Sequence, residues 1–253
     1  MKATKSARLK VKRANSHIDT LIRESAPLSK DLYEIVNGPG RSLVVLANPD
    51  CFRLTYRPKQ PISEYFQPII GDAVNNVREA MDLWLNGALN ALGKGRKLLH
   101  FPFAAEWKDL RTSSNYPPVE KAFPDLARFI LTDIKPCRDT NLHLWAATSL
   151  CNLNKHNDFI PTVNVVSINN INVSTTGVTM QDCAVGGDAN RPIGIIQSAN
   201  PITIENNFSV SVEITFPKDA VFEYQPVIPT LQNMSQVVLK TLDALDAFIT
   251  PYF

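Results

Sequence analysis

Apolar residues recur every three or four positions between residues 63 and 92, at Phe66, Ile70, Ala73, Val77, Met81, Trp84, Ala88 and Leu92. That is the period of a helix, so the segment predicts one long amphipathic helix with a continuous buried stripe. Ser63 is placed to cap its start, and Gly93 and Gly95 end it. Gly71 and Gly87 lie inside, where glycine weakens a helix, so they mark close packing against a neighbour. A first helix is predicted over 4–24, with Leu9, Val11, Ile18, Leu21 and Ile22 as its apolar positions. Two more are predicted over 119–132 and 139–155. The second of these is apolar nearly all round (Leu142, Leu144, Trp145, Ala146, Ala147, Leu150, Cys151, Leu153) and is expected to be enclosed. A last helix over 230–249 repeats the stripe at Leu231, Met234, Val238, Leu242, Leu245 and Ile249.

Elsewhere the period is two. Leu43-Val44-Val45-Leu46, an Asn48-Pro49-Asp50 turn, and Phe52, Leu54 and Tyr56 alternating with Arg53, Thr55 and Arg57 predict a β-hairpin. Residues 162–173 are rich in Val and Ile. Phe208, Val210, Val212, Ile214 and Phe216 alternate with Ser209, Ser211, Glu213 and Thr215, which predicts a sheet with one buried and one wet face. Gly186-Gly187-Asp188 and Asn200-Pro201 read as turns. The expected class is therefore α+β: a helical core around a long central amphipathic helix, an N-terminal β-hairpin, a C-terminal antiparallel β region and a final helix. No repeat or low-complexity linker interrupts the chain. Residues 1–253 are thus expected to form one domain, with a helical part over about 1–158, a β layer over about 159–226 and the last helix over about 229–250.

With 44% hydrophobic and 20% charged residues, the chain can bury a core without staples. A net charge of +2 supplies no global field toward nucleic acid or an anionic membrane. Lys2, Lys5, Arg8, Lys10, Lys12 and Arg13 form a local basic stretch, read either as a solvated helical face or as a contact for nucleic acid or an acidic partner. No uncharged apolar run is long enough to cross a bilayer, and no apolar segment follows the basic start, so no membrane partner and a cytoplasmic location are expected. Cys51, Cys137, Cys151 and Cys183 are scattered, which argues against a zinc ribbon, a redox dithiol or a disulfide framework.

Phosphate-binding loops, dinucleotide fingerprints, His-Glu-x-x-His and Gly-x-Ser-x-Gly are all missing, so neither a cofactor nor a metal is expected. Chemistry must come from scattered side chains. Asn75, Arg78, Asp82 and Asn86 are spaced to lie along one side of the long helix. Arg78 sits at the border of the apolar stripe, where it can hold an anion or pair with Asp82. His143 reads as a core histidine, and His100, before Phe101-Pro102-Phe103, can turn a loop or line a pocket. A metal site on His100, His143 and His156 would need all three rings to face one point. Asn152-Leu153-Asn154-Lys155-His156-Asn157 closes the enclosed helix. Lys155 and His156 suit the negative end of a helix dipole, and an imidazole there can also serve as an acid or base.

Gly71-Asp72-Ala73-Val74-Asn75-Asn76-Val77-Arg78-Glu79-Ala80-Met81-Asp82 resembles the GD-x-x-HNLRSALDH helix of a family of uncharacterised bacterial proteins. Asn152-Leu153-Asn154-Lys155-His156 resembles the family's downstream N-x-DKH-like segment, and the resemblance covers roughly residues 13–159. In that family an Arg followed by a His on the helix is similar to the motif of HEPN-type helical ribonucleases, whose Arg and His act at a dimer interface. Here Leu83 stands at the His position, Asn75 at the other His, and Asn154 at the Asp before Lys-His. The resemblance leaves Arg78 and His156 as candidate catalytic residues, with Asn75, Asp82, Asn154 and Lys155 as candidate binding residues. Two functions stay open. One is a non-catalytic binding or assembly protein, a homodimer through its long helix, with a small-molecule partner. The other is a metal-independent, HEPN-like ribonuclease or nucleotide-acting enzyme, degenerate or active, with RNA as partner.

Overall fold

A computed structural model describes residues 4–25, 32–41, 50–59, 65–95, 97–156 and 160–253, apart from the side chains at 41, 50 and 156. The helices are α1 (Lys5–Ser25), α2 (Phe66–Ala91), α3 (Tyr116–Ala122), α4 (Pro124–Phe129), α5 (Leu142–His156) and α6 (Val227–Ile249). The strands are β1 (Tyr33–Arg41), β2 (Asp50–Pro58), β3 (Val163–Thr175), β4 (Val178–Asp188), β5 (Ile193–Ser198), β6 (Thr203–Ile204) and β7 (Ser209–Thr215). The class is α+β, as the two periodicities predict. None of the described helices is long and apolar enough to cross a membrane.

α2 is the axis of the helical layer. Phe66, Ile70, Ala73, Val77, Met81, Trp84 and Ala88 are all buried, joined by Ile69, Val74, Ala80, Leu85 and Leu89, so well over half of its circumference faces the core. α1, α5 and α6 pack on it. The apolar stripe of α2 is therefore covered within the chain, as predicted. α1 buries Ala7, Val11, Ala14, Ile18 and Leu21, while Leu9 and Ile22 point outward. The small side chains win the inner face because they let two helix backbones approach. The basic stretch on α1 is partly neutralised: Arg8 pairs with Asp243 and Asp246 of α6, both at 2.7 Å, and Lys10 pairs with Glu79 of α2 at 2.5 Å. Fully buried Trp84 donates its indole N–H to Asp246 Oδ1 at 2.7 Å, so one carboxylate links three helices.

The predicted helix over 119–132 is broken. Phe123 is extended (φ −151°, ψ 91°), and Pro124 starts α4 at its first position. Proline has no N–H to continue a helix and its ring would strike the preceding turn, yet its fixed φ suits a first position. A π-turn over Ile130–Ile134 follows and stops at left-handed Lys135 (φ 48°).

The hairpin pairs β2 with β1, in antiparallel register from Tyr33↔Pro58 to Arg41↔Asp50. The arm expected at 43–46 and the Asn48-Pro49 turn lie outside the described residues, as does Ser63. β5 leaves the C-terminal region to pair antiparallel with β2, so the first sheet has the order β1-β2-β5. The second sheet is centred on β3, with β4 on one edge and β6 and β7 on the other. Gly186-Gly187-Asp188 is not a turn but the end of β4. A Cβ at Gly186 would lie 3.2 Å from the Val166 carbonyl oxygen, so glycine there serves close strand approach. The reversal between β3 and β4 falls at Thr176-Gly177, with Gly177 at φ +87°. On β7 the alternation holds for exposed Ser209 and Glu213 against buried Ile214. It fails at Thr215, which is buried where it bridges to Pro226 at the entrance of α6. One apolar cluster runs through both layers, from Ala7 and Trp84 to Val166, Ile171 and Leu245.

Candidate functional site

The polar side of α2 lies where the helix meets α5 and the segment that returns after it. Asn86 acts there as a surrogate strand: its Nδ2 donates to the Leu99 carbonyl at 2.7 Å, and its Oδ1 accepts the Leu99 N–H at 2.9 Å. One turn earlier, Asp82 Oδ1 accepts the Phe101 N–H at 2.7 Å. The far end of this segment is fastened by Ala104, which exchanges backbone hydrogen bonds with Pro136 and Arg138 on either side of Cys137. Residues 99–104 are thus pinned at both ends, and His100 is carried with them.

Asp82 also gathers the charged groups. Arg78 Nη1 donates to its Oδ1 at 2.5 Å, and His100 Nδ1 meets its Oδ2 at 2.9 Å. Arg78 is fixed on two further sides. Its Nε donates to Thr148 Oγ1 of α5 at 3.2 Å, and its guanidinium carbon lies 4.8 Å from the centroid of the Phe103 ring. An ionised carboxylate can only accept, so the Asp82 contact places the proton of a neutral His100 on Nδ1. Nε2 is then an acceptor on a ring whose side chain is 59% exposed.

Above these groups opens a cavity of about 360 Å³, lined by Asn75, Arg78, Asp82 and Glu79 from α2, His100, Asn115, and Thr148, Cys151, Asn152 and Lys155 from α5. Glu79 on the rim is held by Lys10 of α1. Lys155 is exposed and makes no ion pair among the described residues. Asn75 Oδ1 is buried and has no hydrogen-bond partner among the described residues.

Of the residues expected from the sequence, Asn75, Arg78, Asp82 and Lys155 come together. Asn154 does not join this wall. Its side chain covers Gly71, where an added Cβ would fall 2.5 Å from Asn154 Oδ1, and this is the close approach that the glycine inside α2 signals. The His156 side chain lies outside the described residues. His100, Thr148, Asn115 and Asn152 complete the site. Thr148 is a polar residue amid the apolar run of α5, which is a usable signal, whereas nothing local singles out Asn115. His143 packs against Phe222, ring centroids 5.1 Å apart, and among the described residues no three His, Cys, Asp or Glu side chains stand together as a metal-ligand set.

Cys137, beside the anchored end of the segment, carries no exposed surface, and burial pushes its thiol up from 9.0 to about 11. The sign follows from linkage: as pH rises, the unfolded thiol ionises first, so native stability falls between pH 9.0 and about 11. The urea midpoint is expected to drop across that window, and a Cys137→Ala variant should lose this component of the drop. An equal drop in both proteins would exclude it.

No family model, no curated protein and no solved structure matches this chain.

Proposed function

We propose that the protein is a binding protein whose ligand, a small polar molecule, occupies the cavity between α2 and α5. The observation that carries this reading is Asn75 Oδ1, buried on a residue of the wall and without a partner among the described residues. A buried acceptor left unmade costs roughly 1–3 kcal/mol, so a ligand that draws the Asn75 amide toward the cavity and donates to it recovers that loss. Lys155, without an ion pair among the described residues, suits an anionic group on the same ligand, while Arg78 and His100 are already oriented by Asp82. The reading keeps the cytoplasmic setting and the bacterial family resemblance expected from the sequence, and it needs no second copy of the chain. A thermal-shift panel of nucleoside monophosphates, sugar phosphates and amino acids tests it. A ligand at a hundred times its Kd stabilises by about 2.7 kcal/mol, so at least one class should raise the wild-type Tm by several degrees. The shift should shrink in Asn75→Leu and Lys155→Gln. A panel with no effect, or one that acts equally on the variants, sinks the proposal.

One observation favours the enzymatic alternative. Arg78 and His100 share a single carboxylate, which sets a cation beside an imidazole with its Nε2 free, a pairing suited to metal-independent phosphoryl chemistry on RNA or a nucleotide. Under this HEPN-like reading His100, with or without His156, supplies the acid or base. Labelled RNA incubated with EDTA should then be cut by wild type and spared by Arg78→Ala and His100→Ala. Cleavage that both variants retain marks a contaminant and removes the alternative.

A further inference from the structure

A second, larger cavity of about 530 Å³ lies at the other end of the same polar seam, where α2 stops. Gly93, at φ +68°, turns the chain out of the helix, and the Lys94 and Gly95 N–H groups fold back onto the Leu89 carbonyl at 2.8 and 3.1 Å. With the Leu92 and Gly93 N–H groups on the Ala88 and Asn90 carbonyls, three carbonyls of the last turn are occupied, which blunts the negative end of the helix dipole. The chain then runs back through Lys97 and Leu99, held by Asn86, and α3 closes the opposite side with Pro118 and Lys121.

The wall divides into two chemistries. Leu89, Leu99 and Pro118 contribute apolar surface, and the exposed Lys94, Lys97 and Lys121 contribute cationic groups. Among the described residues, no acidic side chain lines the cavity. The nearest candidate in sequence, Glu120, is taken by Arg111 at 3.2 Å. None of these lysines forms an ion pair among the described residues. Lys94 is instead placed by an aromatic face, its ammonium 4.0 Å from the centroid of the Phe123 ring. Like charges around one opening repel each other and raise the local positive potential, and an incoming anion relieves both. The cavity volume is that of a small-molecule site, and its apolar lining rewards alkyl surface rather than a hydrated ion.

We propose that this cavity binds a single-chain anionic amphiphile, a long-chain carboxylate whose head meets Lys94, Lys97 and Lys121 and whose alkyl chain lies on Leu89, Leu99 and Pro118. The site is separate from the polar cavity and stands or falls independently of it. Isothermal titration of the full chain with laurate, kept below its micellar concentration, is the test, beside butyrate as a head group with almost no chain. The comparison protein carries Lys94→Gln, Lys97→Gln and Lys121→Gln together. These side chains are exposed, and circular dichroism checks that the fold is kept. Wild type is expected to take up one laurate, to hold butyrate at least a hundredfold more weakly, and to lose at least tenfold in laurate affinity in the triple variant. Laurate binding that the triple variant retains in full, butyrate binding as tight as laurate, or a folded wild type that takes up no laurate would each overturn the proposal.

Discussion

An Asp82→Ala variant is expected to lose about 3–4 kcal/mol of folding stability, toward the lower end of what breaking one side of a buried ion pair costs. The side chains of Arg78 and Asp82 are only 12% and 23% exposed, so the remaining guanidinium cannot simply return to water. It keeps Thr148 and the Phe103 face but no counter-charge. The Phe101 N–H loses its acceptor at the same time, and His100 loses the contact that orients it. Asp82→Asn separates these effects, because its amide oxygen still accepts the Phe101 N–H while the charge is gone; about half of the loss should remain. Urea unfolding of the three proteins measures both differences. A loss below about 1 kcal/mol for Asp82→Ala, the range of an exposed pair, would show that the carboxylate is not the organising group of the site.

Trp84→Ala should be the most damaging single change, at about 3–5 kcal/mol, the range for deleting a buried tryptophan. Trp84 has no exposed surface and sits in the layer where α1, α2 and α6 meet. Truncation opens a cavity in this layer and removes the indole N–H from Asp246. Trp84→Phe keeps most of the apolar volume and loses chiefly the hydrogen bond, at about 1.5–3 kcal/mol for a charged acceptor. That loss falls at the low end because Arg8 still pairs with Asp246. Thermal unfolding reads the difference at roughly 2–4 °C per kcal/mol for a chain near this size. Equal Tm values for the Ala and Phe variants would mean that packing around Trp84 matters less than the structure implies.

How far the sequence could be read depended on whether the signal was periodic. α2 is legible almost residue by residue, because the stripe from Phe66 to Ala88 repeats along its length and falls in the core, while Leu92 is the half-buried cap beyond its end. The alignment of Asn75, Arg78, Asp82 and Asn86 follows from the same period. α1 was legible as a helix and, through Val11, Ile18 and Leu21, in part of its buried face. Leu9 and Ile22 look like core positions by hydrophobicity, and Ala7 and Ala14 take the inner face because helix contact selects for small size. β1 was missed because Asn37-Gly38-Pro39-Gly40 carries no alternating apolar pattern, although β2 holds all four positions in register. Local propensity lost there to pairing with a strand already in place.

The sequence by itself determined the class, the long central helix, the final helix and the polar line on α2, since each is set by side chains a few residues apart on one element. The tertiary structure alone decided that β5 joins the hairpin, that Asp246 links Trp84 to Arg8, and that His100 returns to Asp82 beneath the cavity. These contacts join residues from 18 to 238 positions apart. Helix and strand periods carry no information at such separations, and only the packing of the whole core brings those groups within hydrogen-bond reach.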